Sequence, residues 1–242
     1  MGTNEIIALV SGANRGIGLA IAAGLARHKS VNVLLGCRDL DRGKEASSPL
    51  QAEGLRVRPV QLDTTDEDSV LALADLIERE YGRLDTLVNN AGIGLDYHPT
   101  LSVVDRMKQT LEVNVIGTLR LTEAMVPFLA KSTRPRIVNV SSELSSFGMR
   151  ADPNWAYSAI KLPTYAASKA ALNSLTVSYA DQLRDKGIKV NAICPGYTAT
   201  EATNFSGTRT PEQAAVIAVN FALLDDEGPS GIFINEAQEL PW

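Results

Sequence analysis

With 242 residues, 45% hydrophobic and 21% charged, the chain has ordinary globular composition and is long enough to bury a core without disulfide or metal staples. A formal net charge of −5 and the absence of a basic run argue against nucleic-acid binding through phosphate contacts. Residues 1–5 carry no basic stretch leading into the apolar core of an export signal, and no apolar run approaches the ~18 residues that cross a bilayer; a cytoplasmic location and no membrane partner are expected.

In chain order, short apolar runs alternate with helical patterns. Residues 6–10 read as a strand, 17–27 as a helix, 31–36 as a second strand and 41–53 as a weakly apolar helix. A third strand at 57–62 precedes a helix at 66–81, whose first turn holds Asp66, Glu67 and Asp68, where acids suit the helix dipole. Strands at 86–89 and 136–140 flank a mostly helical stretch, 101–129. A strong helical pattern at 166–183 ends at Lys186-Gly187, and 189–193 is a sixth strand. Thr210-Pro211-Glu212 opens another helix, with Thr as cap and Pro at the first helical position, and 231–235 is a final strand. Alternating strands and helices imply right-handed βαβ units and a parallel sheet covered on both faces. The expected fold is α/β: one doubly wound Rossmann-type domain over 1–242, with about seven strands.

The turn after the first strand reads Ser11-Gly12-Ala13-Asn14-Arg15-Gly16-Ile17-Gly18. Missing side chains at Gly12, Gly16 and Gly18 let the backbone turn tightly and approach a pyrophosphate, and the helix start supplies N–H groups. An ordinary strand-to-helix turn also accommodates such glycines. The spacing G-x-x-x-G-x-G resembles that of the short-chain dehydrogenase/reductase family, with Ser11 keeping the hydroxyl of the family's usual Thr. The resemblance implies a nicotinamide dinucleotide bound by Gly12, Asn14, Arg15, Gly16, Ile17 and Gly18. In family members that use NAD an acid stands where this chain has Cys37. Here Arg38 follows, and a guanidinium can grip a 2′-phosphate with two charge-assisted bonds. Arg38 and Arg15 therefore resemble the NADP-preferring members, and NADP(H) is the expected cofactor.

Further motifs appear in the family's order. Asp63 matches an adenine-contacting Asp. Asn90, Ala91 and Gly92, within Asn89-Asn90-Ala91-Gly92, match a motif that supports the sheet and lines the cofactor site. Asn114 matches an Asn that distorts its helix and supports a water relay, and Ser142 the catalytic Ser at the end of the fifth strand. Pro195 and Gly196 match a pair beside the nicotinamide; Thr198 and Thr200 are expected at the carboxamide or the phosphates.

The pattern Tyr-x-x-x-Lys occurs twice, at Tyr157/Lys161 and Tyr165/Lys169. Residues four apart meet only on a helix. Pro163 stands two residues after Lys161, and a Pro inside a helix costs ~3 kcal/mol, so the first pair belongs in a loop. Tyr165 and Lys169 open the long helix and complete the catalytic set Asn114, Ser142, Tyr165 and Lys169, with Tyr165 and Lys169 also touching the cofactor. A free phenol titrates near ~10, and the Lys169 ammonium is expected to lower Tyr165 toward neutrality.

The implied reaction is hydride transfer between NADPH and a small carbonyl or alcohol substrate. Two other readings stay open: a non-enzymatic NADP(H)-binding regulator, and a reductase of a fixed 3-oxoacyl or steroid intermediate. Between Ser142 and Tyr165 lie 22 residues, more than the family's common spacing, and with the ending Glu239-Leu240-Pro241-Trp242 they resemble its carbonyl-reductase-like branch. The short segment after Thr200 suggests an open pocket. Phe147, Met149, Tyr157, Tyr197 and Phe205 each fit pocket lining or plain loop packing equally well. Homo-oligomerisation stays open, because the extra residues before Tyr165 could cover the helices through which family members pair. Cys37 and Cys194 read as buried thiols, and His28 and His98 as surface residues, without metal-ligand spacing.

Overall fold

The computed structural model describes residues 5–242; residues 1–4, part of the stretch read above as lacking an export signal, lie outside the described residues. Seven parallel strands form one sheet in the order β3-β2-β1-β4-β5-β6-β7: β1 (Ile6–Ser11), β2 (Val31–Cys37), β3 (Val57–Gln61), β4 (Thr86–Asn89), β5 (Arg136–Val140), β6 (Lys189–Ile193) and β7 (Phe233–Ile234). The two-residue spacing of strand side chains sorts β1 between the two faces. Ala8 and Val10 pack on one side with α1 (Gly16–Ala26), α2 (Leu40–Ala52) and α8 (Pro211–Ala222). Ile7 and Leu9 pack on the other with α3 (Glu67–Glu80), α5 (Thr118–Leu129) and α7 (Pro163–Gln182). Each fully buried Leu, Ile or Val contributes about 1.5–3 kcal/mol, which is what holds three helices to each face.

The expected strands are present with small changes at their ends. The last, read over 231–235, shortens to Phe233–Ile234, because Asn235 closes a turn in which its side chain accepts the amides of Ala237 and Gln238. The stretch 101–129 is α4 (Val103–Leu111), a π-helical turn at Glu112–Gly117 and then α5. The long helix starts earlier than read, with Pro163 in its first turn, and stops at Gln182. A 3-10 turn, Arg184–Lys186, follows, and Gly187 turns the chain at φ 69°. A short helix, α6 (Phe147–Arg150), lies in the extra segment before α7. The chain ending packs on α6: Ser146 Oγ donates to the Pro241 carbonyl at 2.6 Å, and the Phe233 and Trp242 rings stack with centroids 5.7 Å apart. Among the described residues, no helix is long and apolar enough to cross a membrane.

Strand order reverses between β1 and β4, and the crevice at the carboxyl ends of the strands there is where doubly wound sheets bind ligands. The glycine turn, the Asn89–Gly92 motif and the end of β5 all open onto it.

Candidate active site

The Ser11 hydroxyl knits the floor of the crevice. It accepts the amides of Asn90 and Ala91, both at 3.0 Å, while Asn90 Nδ2 donates to the carbonyls of Ser11 and Gly12 at 2.9 and 3.0 Å. These bonds press the turn against the end of β4 so closely that side chains are excluded. A Cβ on Gly12 would lie 2.9 Å from Ala91 Cα, and one on Gly18 would lie 2.4 Å from the Gly12 carbonyl. No side chain caps α1, and its first turn holds no acid. Its amides and positive dipole end are therefore available to an anion, as a dinucleotide's pyrophosphate requires.

Around this turn, Arg38 is exposed and Asp63 is partly buried. Asp63 spends one oxygen on the Thr65 amide and hydroxyl, at 2.9 and 2.7 Å. Arg15 forms an ion pair with Glu201, so the guanidinium expected at a 2′-phosphate has a competing carboxylate. Thr200, on the same segment, has its Cγ2 3.3 Å from where a Cβ on Gly16 would stand. Thr198 is buried and bonds the Gly196 carbonyl at 3.0 Å, while Pro195 is buried just after β6.

The four residues expected to be catalytic come from three separated stretches of chain: Asn114 from the π-helical turn, Ser142 from the end of β5, and Tyr165 with Lys169 from α7. Asn114 sits in the π-helical turn, fully buried. Its amide clasps Ile93 in both directions, each bond 2.8 Å, and Nδ2 also donates to Ser168 Oγ at 2.9 Å. The distortion expected at Asn114 is therefore present, and π-turns of this kind are often found at functional sites. A Cβ on Gly92 would lie 3.3 Å from Asn114 Oδ1 and 3.4 Å from Lys169 Nζ, so these two groups converge on the Asn-Asn-Ala-Gly motif. Lys169 Nζ donates to the Val140 carbonyl at 2.7 Å and lies 5.7 Å from the Tyr165 ring centroid. Ser142 Oγ accepts the Leu144 amide at 3.3 Å.

The electrostatics differ from the expectation for the protein alone. Burial pushes the Tyr165 phenol up to about 12, with the Cys194 sulfur adding to the rise and the Ser142 hydroxyl opposing it. Burial brings Lys169 down to about 8. Desolvation, not the ammonium's attraction, decides the direction at Tyr165. The phenol is consequently protonated at neutral pH, the form a proton donor needs.

Asp96 escaped the sequence reading. Its carboxylate accepts the amides of Thr164 and Tyr165 at 2.9 and 3.0 Å. Leu162, at the cap position, supplies no side-chain oxygen, so this loop acid satisfies two of the orphaned donors of α7. A Leu-Pro helix start was the local signal that a cap must come from elsewhere, although nothing local names Asp96. Tyr157 lies among turns, and Lys161 donates to the Ser158 carbonyl at 2.8 Å, so the first Tyr-x-x-x-Lys pair is in a loop as expected. The Tyr157 ring makes edge contacts with Trp155 and Tyr197, with centroids 5.5 and 6.5 Å apart. Met149 packs on the buried cluster of Ala192, Cys194, Phe233 and Leu240, whereas Phe147 and Phe205 are exposed. Both cysteines are buried, and burial raises both thiols.

A parallel doubly wound sheet with polar residues gathered at its switch point defines the Rossmann-type class of proteins. A family profile described as short chain dehydrogenase matches residues 6–210, and the chain belongs to that family of oxidoreductases. It is similar to carbonyl reductase [NADPH] 1 of Mus musculus, 33% identical over 283 aligned residues that cover 100% of both chains. Among solved structures it is similar to an NADPH-bound carbonyl reductase from chicken fatty liver, with a TM-score of 0.85 and 27% identity over 98% of this chain and 99% of that one. It is also similar to salutaridine reductase from Papaver somniferum, with a TM-score of 0.81 and 28% identity over 95% of this chain and 99% of that one.

Proposed function

We propose that this chain is an NADPH-dependent reductase of ketones or aldehydes, with Tyr165 as the proton donor. The observation that carries the reading is the convergence of Tyr165, Lys169, Asn114 and Ser142 around the glycine-lined crevice at the β1/β4 reversal. The uncapped α1 N-terminus, its glycine cradle and exposed Arg38 suit a dinucleotide phosphate, and the mouse and chicken relatives are carbonyl reductases described with NADPH. When bound, the reduced nicotinamide supplies the hydride for the carbonyl carbon.

The chain's own residues then do three things. Ser142 donates a hydrogen bond to the carbonyl oxygen and orients it, an effect that grows as that oxygen gains charge. Tyr165 delivers its phenolic proton to the same oxygen, yielding the alcohol. Lys169, held to the Val140 carbonyl with its Nζ 5.7 Å from the Tyr165 ring centroid, favours the phenolate left behind and would hold the ribose hydroxyls of a bound dinucleotide. A complete set of four such residues weighs against a purely regulatory binder.

The test is consumption of NADPH, followed by its absorbance, across a panel of ketones and aldehydes, with NADH in parallel. Turnover with NADPH well above that with NADH is expected. A protein that binds NADPH but reduces nothing in the panel contradicts the reading.

A further inference from the structure

We propose that Asn173 is a positioning residue, one that fixes the place of Ser142 relative to Tyr165; the inference rests on the reading of Ser142 as the substrate's hydrogen-bond donor. Tyr165, Lys169 and Asn173 follow at four-residue intervals on α7 and share one face. Tyr165 reaches the crevice, and Lys169 ties the helix to the last residue of β5. One turn further on, Asn173 grips the chain on both sides of Ser142. Its Oδ1 accepts the Ser141 hydroxyl at 2.6 Å, and its Nδ2 donates to Ser145 Oγ at 2.8 Å. Ser145 in turn donates to the carbonyl of Ser142 twice, from Oγ at 2.6 Å and from its amide at 2.9 Å.

The helix that carries the proton donor thus also holds the loop that carries the orienting hydroxyl, through three buried side chains. Ser141, Ser145 and Asn173 are 2%, 3% and 5% exposed. An apolar residue would fill the site but would leave two hydroxyls with fewer partners where water cannot replace the loss. With the amide, Ser142 and Tyr165 belong to one rigid body, as a reaction sensitive to sub-ångström placement requires.

The test is a double-mutant cycle between Asn173→Ala and Ser142→Ala, read as kcat for NADPH-dependent reduction of the fastest substrate among benzaldehyde, acetophenone and cyclohexanone, with the NADPH Kd followed by fluorescence. Ser142→Ala alone is expected to lower kcat about a hundredfold. Asn173→Ala alone should lower it about tenfold with the NADPH Kd unchanged. The double variant should match Ser142→Ala within about twofold, because a positioning residue has nothing left to position. Losses that multiply, or an Asn173→Ala variant with wild-type kcat, overturn the inference while leaving the role of Ser142 standing. A Ser142→Ala variant with wild-type kcat, or a wild-type protein that turns over none of the three, overturns the functional reading itself. If Asn173→Ala does not fold, Ser145→Ala removes the same link from the loop side and takes its place in the cycle with the same outcomes.

Discussion

At the scale of single residues, Tyr157 and Tyr165 share a motif but not a setting. Tyr165 stands in the first turn of α7, its amide bonded to Asp96, while Tyr157 lies among turns against Trp155 and Tyr197. Tyr157→Phe is therefore expected to keep most of the activity; a dead variant, measured by NADPH absorbance, would mean that the proton donor lies in the loop. Arg38 is exposed with no neighbouring partner among the described hydrogen bonds and ion pairs, so Arg38→Asp should act on cofactor choice alone. The ratio of NADPH to NADH efficiency should fall at least about tenfold, the value of one charge-assisted bond; an unchanged ratio removes Arg38 from phosphate recognition. Lys169 makes a prediction about stability. Its folded value of about 8 lies below its ordinary 10.5 because burial opposes the charge. Between those two values the unfolded chain holds a proton that the folded chain has lost, so this group makes stability rise with pH across the window and contributes no slope below it. Urea unfolding from pH 7.5 to 10.5 should show a steeper rise for the wild type than for Lys169→Met, and parallel curves would contradict the buried setting.

At the scale of elements, α7 gathers the site, and its start depends on a residue borrowed from another loop. Asp96→Ala should cost about 1 kcal/mol, the usual value of a helix cap, measured by urea unfolding. The amides of Thr164 and Tyr165 should then exchange with solvent faster; unchanged protection of those amides would show that the carboxylate is dispensable. The turn between β1 and α1 sets the opposite constraint, a need for no side chain. Gly18→Ala places a methyl 2.4 Å from the Gly12 carbonyl oxygen and from the side-chain nitrogen Nδ2 of Asn90. NADPH affinity, measured by fluorescence titration, should fall sharply, and retained affinity would show that the turn can give way.

At the scale of the whole molecule, the order of strands and helices was legible because each strand is a short apolar run bounded by turn residues, as the parallel, doubly covered sheet demands. The site was legible where a motif is local: the glycine turn, Asn89–Gly92, and Tyr165 with Lys169, which Pro163 separates from the decoy pair. What stayed hidden depends on contacts distant in sequence. Asp96 meets α7 across 68 positions and Asn173 meets Ser141 across 32, and neither spacing leaves a local trace. The Arg15–Glu201 pair and the dominance of burial over charge at Tyr165 likewise appear only once the chain is folded.

Tyr165→Phe, assayed beside the wild type, bears on the proposed chemistry most directly. It keeps the ring and removes only the proton to be delivered. NADPH should bind to both proteins with the same affinity by fluorescence, while carbonyl-dependent NADPH oxidation should fall about a hundredfold to ten-thousandfold in the variant, the span of general acid catalysis. A variant that turns over at the wild-type rate would contradict the assignment of Tyr165.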